Sequence, residues 1–474
     1  MKKTKIVCTL GPACNDEVTI RQMLLSGMNV ARFNFSHGTH EEHQKRMDMF
    51  RKVSDELAMP AALLLDTKGP EIRVKKFANE TVVLVSNQKF TLTIEDYLGD
   101  ETKVAITYKN LITDIYPGCK VLIDDGKVEM IVDAIDEKNI YCTVTRGGKV
   151  SNNKGINIPT IRLSMPYLSE VDKQDILFGI KADVDYIAAS FVRSKADILS
   201  VRKFLDENGG EWIRTISKIE NQEGINNFED ILENSDGIMV ARGDMGVEVD
   251  YEKLPGIQKR FITRCYQSGK VVITATQMLE SMIVNAYPTR AEISDVANAV
   301  FDGTSAVMLS GETASGAHPI EAVQAMSKIA MQAEKDISSL AQYKRATYDI
   351  NLGDVTNAIS DATCTTAHDV VAKAIIAVTK SGKTARNMSK FRPKEPIIAP
   401  TPSRKTYRQL ALNWGVYPIV VPTMTTTDEM FAEAIKAAKN LNYIADGDVV
   451  VISAGVPLGT VGGTNLIKVQ VVGK

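Results

Sequence analysis

Cysteine is scarce. The 474 residues hold six, at positions 8, 14, 119, 142, 265 and 364, with no CxxC pair, which argues against a disulfide framework and for reduced thiols in a cytoplasmic protein. Such residues are expected to pack in the core or at the surface rather than to act in catalysis. Histidine is scarcer still, with five in the chain. His37, His40 and His43 lie close together but straddle a loop and the helix start Thr39-His40-Glu41-Glu42, so they read as solvated helix residues rather than metal ligands. No apolar run approaches a membrane-spanning length. The opening Met1-Lys2-Lys3-Thr4-Lys5 is followed by too short an apolar stretch before Gly11-Pro12 for a secretory signal. Charge of one sign is also lacking: 56 Lys and Arg balance 58 Asp and Glu, a net of −2. No global field therefore draws the chain to nucleic acid or an anionic membrane, and any phosphate must be bound locally.

Hydrophobic residues make up 44% of the chain, enough for several cores and about three domains at this length. Eight apolar runs end in polar or Gly-containing turns and are mostly separated by helix-like segments: 5–10, 31–35, 62–65, 186–189, 215–219, 237–241, 271–275 and 306–309. Eight strand-then-helix units predict an α/β fold, a parallel (β/α)8 TIM barrel. The count requires lifting out residues 71–164, which alternate apolar and polar positions at 81–85, 90–94, 103–106, 121–123, 128–132 and 140–144, with turn signals Asp125-Gly126 and Gly147-Gly148. This segment is expected to be a small β-barrel lid domain. The remainder, 1–70 and 165–335, is about 240 residues, near the roughly 250 usual for such a barrel. Residues 336–474 resume as a C-terminal α/β domain with runs at 374–378, 397–398, 417–421 and 449–452, a helix over 427–441 and a final edge or hairpin strand at 466–472.

Charged groups follow these runs directly. In Ser217-Lys218-Ile219-Glu220-Asn221 the cation and the carboxylate are two apart and so project from one face of a strand. Charge at the apolar end of a strand is costly unless paired or bound, and Asp244, in Ala241-Arg242-Gly243-Asp244-Met245-Gly246, can supply a second carboxylate. Two carboxylates with few histidines suit a hard cation such as Mg2+. Because barrel active sites sit at the carboxyl ends of the strands, Arg32, Asn34, Ser36, His37, Asp66, Thr67, Lys68, Glu71, Arg73, Arg242, Thr276, Ser310 and Glu312 are expected at the same mouth. Cations around a divalent metal suit transfer of a phosphoryl group, and a lid hinged at Gly69-Pro70 and near Pro159 would exclude water.

Ser217-Lys218-Ile219-Glu220-Asn221, Arg32-Phe33-Asn34-Phe35-Ser36-His37, Asp66-Thr67-Lys68-Gly69-Pro70-Glu71-Ile72-Arg73 and Met308-Leu309-Ser310-Gly311-Glu312-Thr313 resemble the motifs of pyruvate kinases, in the right order along nearly the whole chain. The resemblance implies transfer of phosphoryl from phosphoenolpyruvate to ADP, giving pyruvate and ATP. It places Mg2+ (or Mn2+) on Glu220 and Asp244, and K+ on Asn34, Ser36, Asp66 and the Thr67 carbonyl, with Glu71 marking K+ dependence. Lys218, Arg73, Thr276 and Arg32 become the catalytic set. Arg32, Lys218, Gly243, Asp244 and Thr276 would bind substrate, and Asn34, His37 and Arg73 the nucleotide. Ser310 and Glu312 would lie with Thr276 near the carbon that takes a proton. A cytoplasmic homotetramer without the extra C-terminal domain of some bacterial relatives is also implied.

Thr379-Lys380-Ser381-Gly382-Lys383-Thr384 follows an apolar run and opens a helix, so its backbone N–H groups can cradle a phosphate. It is half a P-loop, since the first glycine of the full motif would fall at Ala377. The resemblance makes it part of an effector site for a sugar phosphate or AMP, completed by residues 459–464. Two other readings stand beside the main one: a barrel lyase or aldolase that stabilises an enolate with Mg2+, and a catalytically silent sugar-phosphate sensor.

Overall fold

The computed structural model describes residues 1–339, 354–458 and 463–474. All eight predicted barrel runs are parallel strands: Lys5–Thr9, Val30–Asn34, Ala62–Asp66, Tyr186–Ala189, Arg214–Ile219, Gly237–Ala241, Val271–Ala275 and Ala306–Leu309. They pair in chain order and close into a barrel, the first strand bonding to the eighth. Almost every residue of these strands is buried, as continuous apolar runs covered by helices on the outside require. Several helix starts carry their own signal. Thr39 caps His40–Glu56 in a capping box with Glu42, and Ser169 with Asp172 and Thr289 with Glu292 do the same for Glu170–Lys181 and Arg290–Phe301.

The segment between the third and fourth strands is β-rich. Seven of its strands form one sheet, bounded by Ile72–Arg73 on one side and Lys103–Ala105 on the other. These two edges meet through an antiparallel bridge between Val74 and Ile106, and the Thr107 N–H donates to the Arg73 carbonyl at 2.9 Å, so the sheet curls back on itself around a core of its own. The Asp125-Gly126 turn joins Lys120–Ile123 to Val128–Ile135 as an antiparallel hairpin, with Asp124 and Asp125 at φ 53° and 54°, the left-handed pair that a tight hairpin needs. Gly147-Gly148 is not a hairpin turn: Gly148 begins the strand Gly148–Ser151, which pairs with Thr81–Leu84.

The C-terminal sheet runs Val416–Val420, Ile397–Thr401, Ala374–Ala377, Val449–Ala454, with Leu466–Val471 added antiparallel at the edge. Thr427–Asn440 is the helix expected over 427–441. This unit sits under the amino ends of the barrel strands. Lys5 donates to the Val416 carbonyl, and the short helix Arg404–Gln409 reaches across, with Arg408 Nε 2.8 Å from Asp185 and Gln409 donating to the Trp212 carbonyl at 2.8 Å. Asp185 is fully buried and also accepts from Arg51 at 2.7 Å and from the Leu63 N–H at 2.8 Å.

All six cysteines are free and buried. Of the clustered histidines, His37 is exposed and His40 pairs with Asp175 at 2.6 Å. His43 departs from its expected solvated position. It is 3% exposed and stacks on Phe35 with ring centroids 4.3 Å apart, because the helix face it occupies packs on the second strand. Met278 and Met282 are fully buried, as barrel packing predicts.

Candidate active site

The carboxyl ends of the second, third and fifth strands bring four charged side chains into one buried cluster. Lys218 Nζ lies 3.0 Å from Asp66 Oδ1 and 3.0 Å from Glu220 Oε1. Arg32 Nε donates to the other Asp66 oxygen at 2.6 Å, and its Nη1 to Thr9 Oγ1 at 2.8 Å. Two cations and two carboxylates thus offset one another inside the barrel, where an unpaired charge would be prohibitive. The Asp66 carboxyl is buried, yet the Arg32 and Lys218 charges hold it below the usual carboxylate range. Burial alone would lower the Lys218 pKa, but Asp66 and Glu220 raise it instead, so the ammonium stays charged.

Glu220 is the exception. Burial pushes its carboxyl up to about 8 despite the nearby lysine, with Asp244 adding to the rise. One of its oxygens accepts from the Phe191 N–H at 2.6 Å. The other, Oε1, has Lys218 within ion-pair distance but no aligned hydrogen bond. A buried carboxylate oxygen without a hydrogen-bond donor, electrostatically coupled to a second carboxylate, fits a divalent cation. Among the described residues no group of three or more His, Cys, Asp or Glu side chains gathers for a metal. Glu220 and Asp244 would therefore be completed by substrate oxygens or water, which suits Mg2+. Asn34 faces Asp66 in register across the second and third strands, and the Phe35 N–H donates to the Asp66 carbonyl at 3.0 Å. This sets Asn34 and Ser36 beside Asp66 and Thr67 at two neighbouring strand ends.

On the far side, Thr276 follows the seventh strand at φ 66°, a backbone strain typical of functional sites. Its Oγ1 accepts from the Gly243 N–H at 2.8 Å and donates to the Ala275 carbonyl at 2.6 Å, fixing the turn that carries Gly243 and Asp244. Arg242 holds Thr276 from behind: it donates to the Thr276 carbonyl at 2.7 Å and pairs with Asp295 at 2.7 Å. Glu312 is spent on structure, accepting from the backbone of Ser310 and Leu279 at 2.7 and 3.1 Å.

Arg73 and His37, like Glu71, Arg242 and Glu312, do not join the cluster. Arg73 lies on a lid strand, its Nε 2.8 Å from Glu71 and its Nη1 donating to the Asn153 carbonyl at 2.7 Å. His37 is on the exposed loop beyond the second strand. A cavity of about 540 Å3 separates lid from barrel, lined by Glu71, Asn157, Arg162, Phe191, Asp244 and Glu248 among others. Asn157 of the lid donates to Glu248 at 3.1 Å across it.

The turn 379–384 follows the central strand of the C-terminal sheet, between its neighbours on either side. This is the topological switch point where open α/β sheets bind ligands. Thr379 Oγ1 accepts from the Gly382 N–H at 2.9 Å, and Gly382 takes φ 83° to start the helix Lys383–Lys390. A cavity of about 220 Å3 is lined by Thr379, Lys380, Ser381, Lys383, Thr384, Gly463 and Thr464. Thr464 Oγ1 meets Thr384 Oγ1 at 3.0 Å. The rest of the expected completing loop, 459–462, lies outside the described residues.

Fold and site together define a (β/α)8-barrel enzyme that gathers charge at the carboxyl ends of its strands to handle an anionic substrate. A family model for the pyruvate kinase barrel domain matches residues 1–323, and one for the pyruvate kinase alpha/beta domain matches 357–470. The chain belongs to the pyruvate kinase family and is a phosphotransferase. It is 49% identical to a pyruvate kinase of Clostridium acetobutylicum over the whole of both chains. It is 47% identical to one of Geobacillus stearothermophilus, covering 99% of this chain and 80% of that protein. The crystal structure of a pyruvate kinase from Cryptosporidium parvum superposes with a TM-score of 0.93 at 39% identity, covering 99% and 96% of the two chains.

Proposed function

We propose that the barrel mouth transfers the phosphoryl group of phosphoenolpyruvate to ADP, with Mg2+ or Mn2+ on Glu220 and Asp244 and K+ on Asn34, Ser36, Asp66 and Thr67. The observation that carries this reading is the Lys218–Glu220 pair with an oxygen of Glu220 left undonated. When bound, the divalent cation supplies charge neutralisation for substrate oxygens. Lys218, fixed between two carboxylates, stabilises the negative charge of the moving phosphoryl group without reorienting. Arg32 keeps Asp66 in place. The turn of Gly243 and Asp244, locked by Thr276, forms the wall where the three-carbon acid sits. Thr276 lies on the side where the methylene carbon of enolpyruvate takes its proton. Ketone formation then draws the reaction forward. Arg73, on the lid side of the hinge, would approach the nucleotide as the lid closes and expels water, while Glu71 marks the K+ dependence of the cation site.

The C-terminal cavity is the effector site, with Lys380 and the N–H groups of 379–384 receiving the phosphate of a sugar phosphate or AMP. Its position at the switch point supports this. Residues 1–70 with 165–335, 71–164 and 336–474 act as catalytic, lid and regulatory domains. The enzyme works in the cytoplasm as a homotetramer. The described residues contain no helix long and apolar enough to cross a membrane.

The test is formation of pyruvate and ATP from phosphoenolpyruvate and ADP with Mg2+. Both products, lost when Mg2+ or ADP is omitted, support the reading. Carbon–carbon cleavage of a longer acid without ADP would favour the lyase.

A further inference from the structure

Among the described residues, the one uncharged side chain hydrogen-bonded to the lysine of the charged cluster is Ser190, directly after the fourth strand. It is 2% exposed. Its Oγ is 2.7 Å from Lys218 Nζ, 2.6 Å from the Thr67 carbonyl oxygen and 3.1 Å from Asp66 Oδ1. A hydroxyl has one proton to give. The closer acceptor is the Thr67 carbonyl, so the lone pairs of Oγ are left for the ammonium of Lys218. The backbone around Ser190 is fixed on all sides. Its N–H donates to Thr67 Oγ1 at 3.2 Å, its carbonyl accepts from the Tyr167 hydroxyl at 2.8 Å, and the next residue, Phe191, at φ 55°, donates its N–H to Glu220 at 2.6 Å. A bulky residue in the left-handed region is strained. This strained turn presents two consecutive groups to the two partners of a single ion pair, Oγ to Lys218 and N–H to Glu220.

We propose that Ser190 is a positioning residue for phosphoryl transfer: its hydroxyl sets where the Lys218 ammonium stands between Asp66 and Glu220. Lysine is a flexible four-carbon stem with three rotatable donors. Two carboxylates pull it along one line, and the third partner removes its freedom to swing along that line. The inference rests on the assignment of Lys218 to transfer, so the wild type must first make pyruvate.

The experiment compares Ser190→Ala with the wild type, alone and in the Lys218→Met background. In the wild-type background kcat is expected to fall about tenfold, within the range that a misplaced catalytic group costs, with the KM for ADP within twofold. Binding of Mn2+, followed by its paramagnetic effect on water relaxation, should stay within twofold, because the metal carboxylates are untouched. In the Lys218→Met background the same substitution should change the residual rate by less than twofold, since the group it positions is gone. Ser190→Cys, with a weaker polar contact, should fall between Ser190→Ala and the wild type. A wild-type kcat in Ser190→Ala overturns the inference, and so does a full tenfold loss repeated in the Lys218→Met background, which would mark a structural role. A wild type that makes no pyruvate would instead overturn the assignment of Lys218.

Discussion

Two places in this chain are proposed to receive phosphate, and they are built by opposite means. At the barrel mouth Arg32, Asp66, Lys218 and Glu220 are 8% exposed or less and bonded to one another before any ligand arrives. In the C-terminal turn the side chain offered to an anion, Lys380, is exposed, and the remaining donors are backbone N–H groups and hydroxyls. The first arrangement stores its electrostatic work in the fold, so charge developing during transfer meets groups that need not move. The second is an open turn beside a cavity, which as an effector site would let a ligand enter and leave. The two are joined by a chain of contacts: the Lys380 carbonyl accepts from Thr406 at 2.9 Å, Arg408 on the same short helix holds Asp185, and Asp185 directly precedes the fourth strand, which Ser190 directly follows.

The largest effect should come from breaking the buried arrangement. Lys218→Met is expected to lower kcat by about a thousandfold, the upper range for losing one preorganised electrostatic group, while Mn2+ still binds. Retention of more than a tenth of the wild-type rate would remove Lys218 from its role.

Next comes the pH response of the same cluster. The Glu220 carboxyl is raised to about 8 in the folded chain against an ordinary 4.5. A raised carboxyl favours the folded state at low pH, and that contribution is lost as pH climbs from the ordinary value through about 8. Metal-free protein should therefore lose thermal stability between about pH 5 and 8. Mg2+, which binds the deprotonated form, should raise Tm more at pH 8 than at pH 5.5. In Glu220→Gln both the slope and the Mg2+ effect should disappear. A metal-free Tm that does not fall across this range would contradict the assignment.

The link between the regions is the next to test. Asp185→Ala leaves Arg51 and Arg408 without their common partner, and a chemical-denaturation midpoint should report a loss of about 3 kcal/mol. The smallest effect on basal turnover belongs to the cradle. Lys380→Glu should abolish activation by sugar phosphates or AMP while the unactivated rate stays within twofold. Unchanged activation in the titration would take the effector away from this turn.

The contrast also explains what could be read from the chain alone. Buried parallel strands are uninterrupted apolar runs, so all eight barrel strands were legible to within a residue or two, and the period of two placed Lys218 beside Glu220. The short lid strands Ile72–Arg73, Gly148–Ser151 and Gly155–Asn157 carry too few residues or too much glycine to show alternation. Ser190 was invisible because one serine after Ala188-Ala189 has no pattern, and its meaning comes from partners more than a hundred positions earlier and nearly thirty later. Arg242 looked like a mouth cation, but its pairing with Asp295 is a long-range contact. His43 shows the same limit: polar type suggested solvent, and helix packing on Phe35 decided otherwise.

The most direct test of the barrel mouth as a two-cation phosphoryl-transfer site is pyruvate formation from phosphoenolpyruvate and ADP with Mg2+, comparing K+ with tetramethylammonium at matched ionic strength. The account predicts turnover that needs both Mg2+ and K+. Full activity in tetramethylammonium would contradict the cation site at Asn34, Ser36, Asp66 and Thr67, and folded protein that makes no pyruvate in either buffer would contradict the transfer itself.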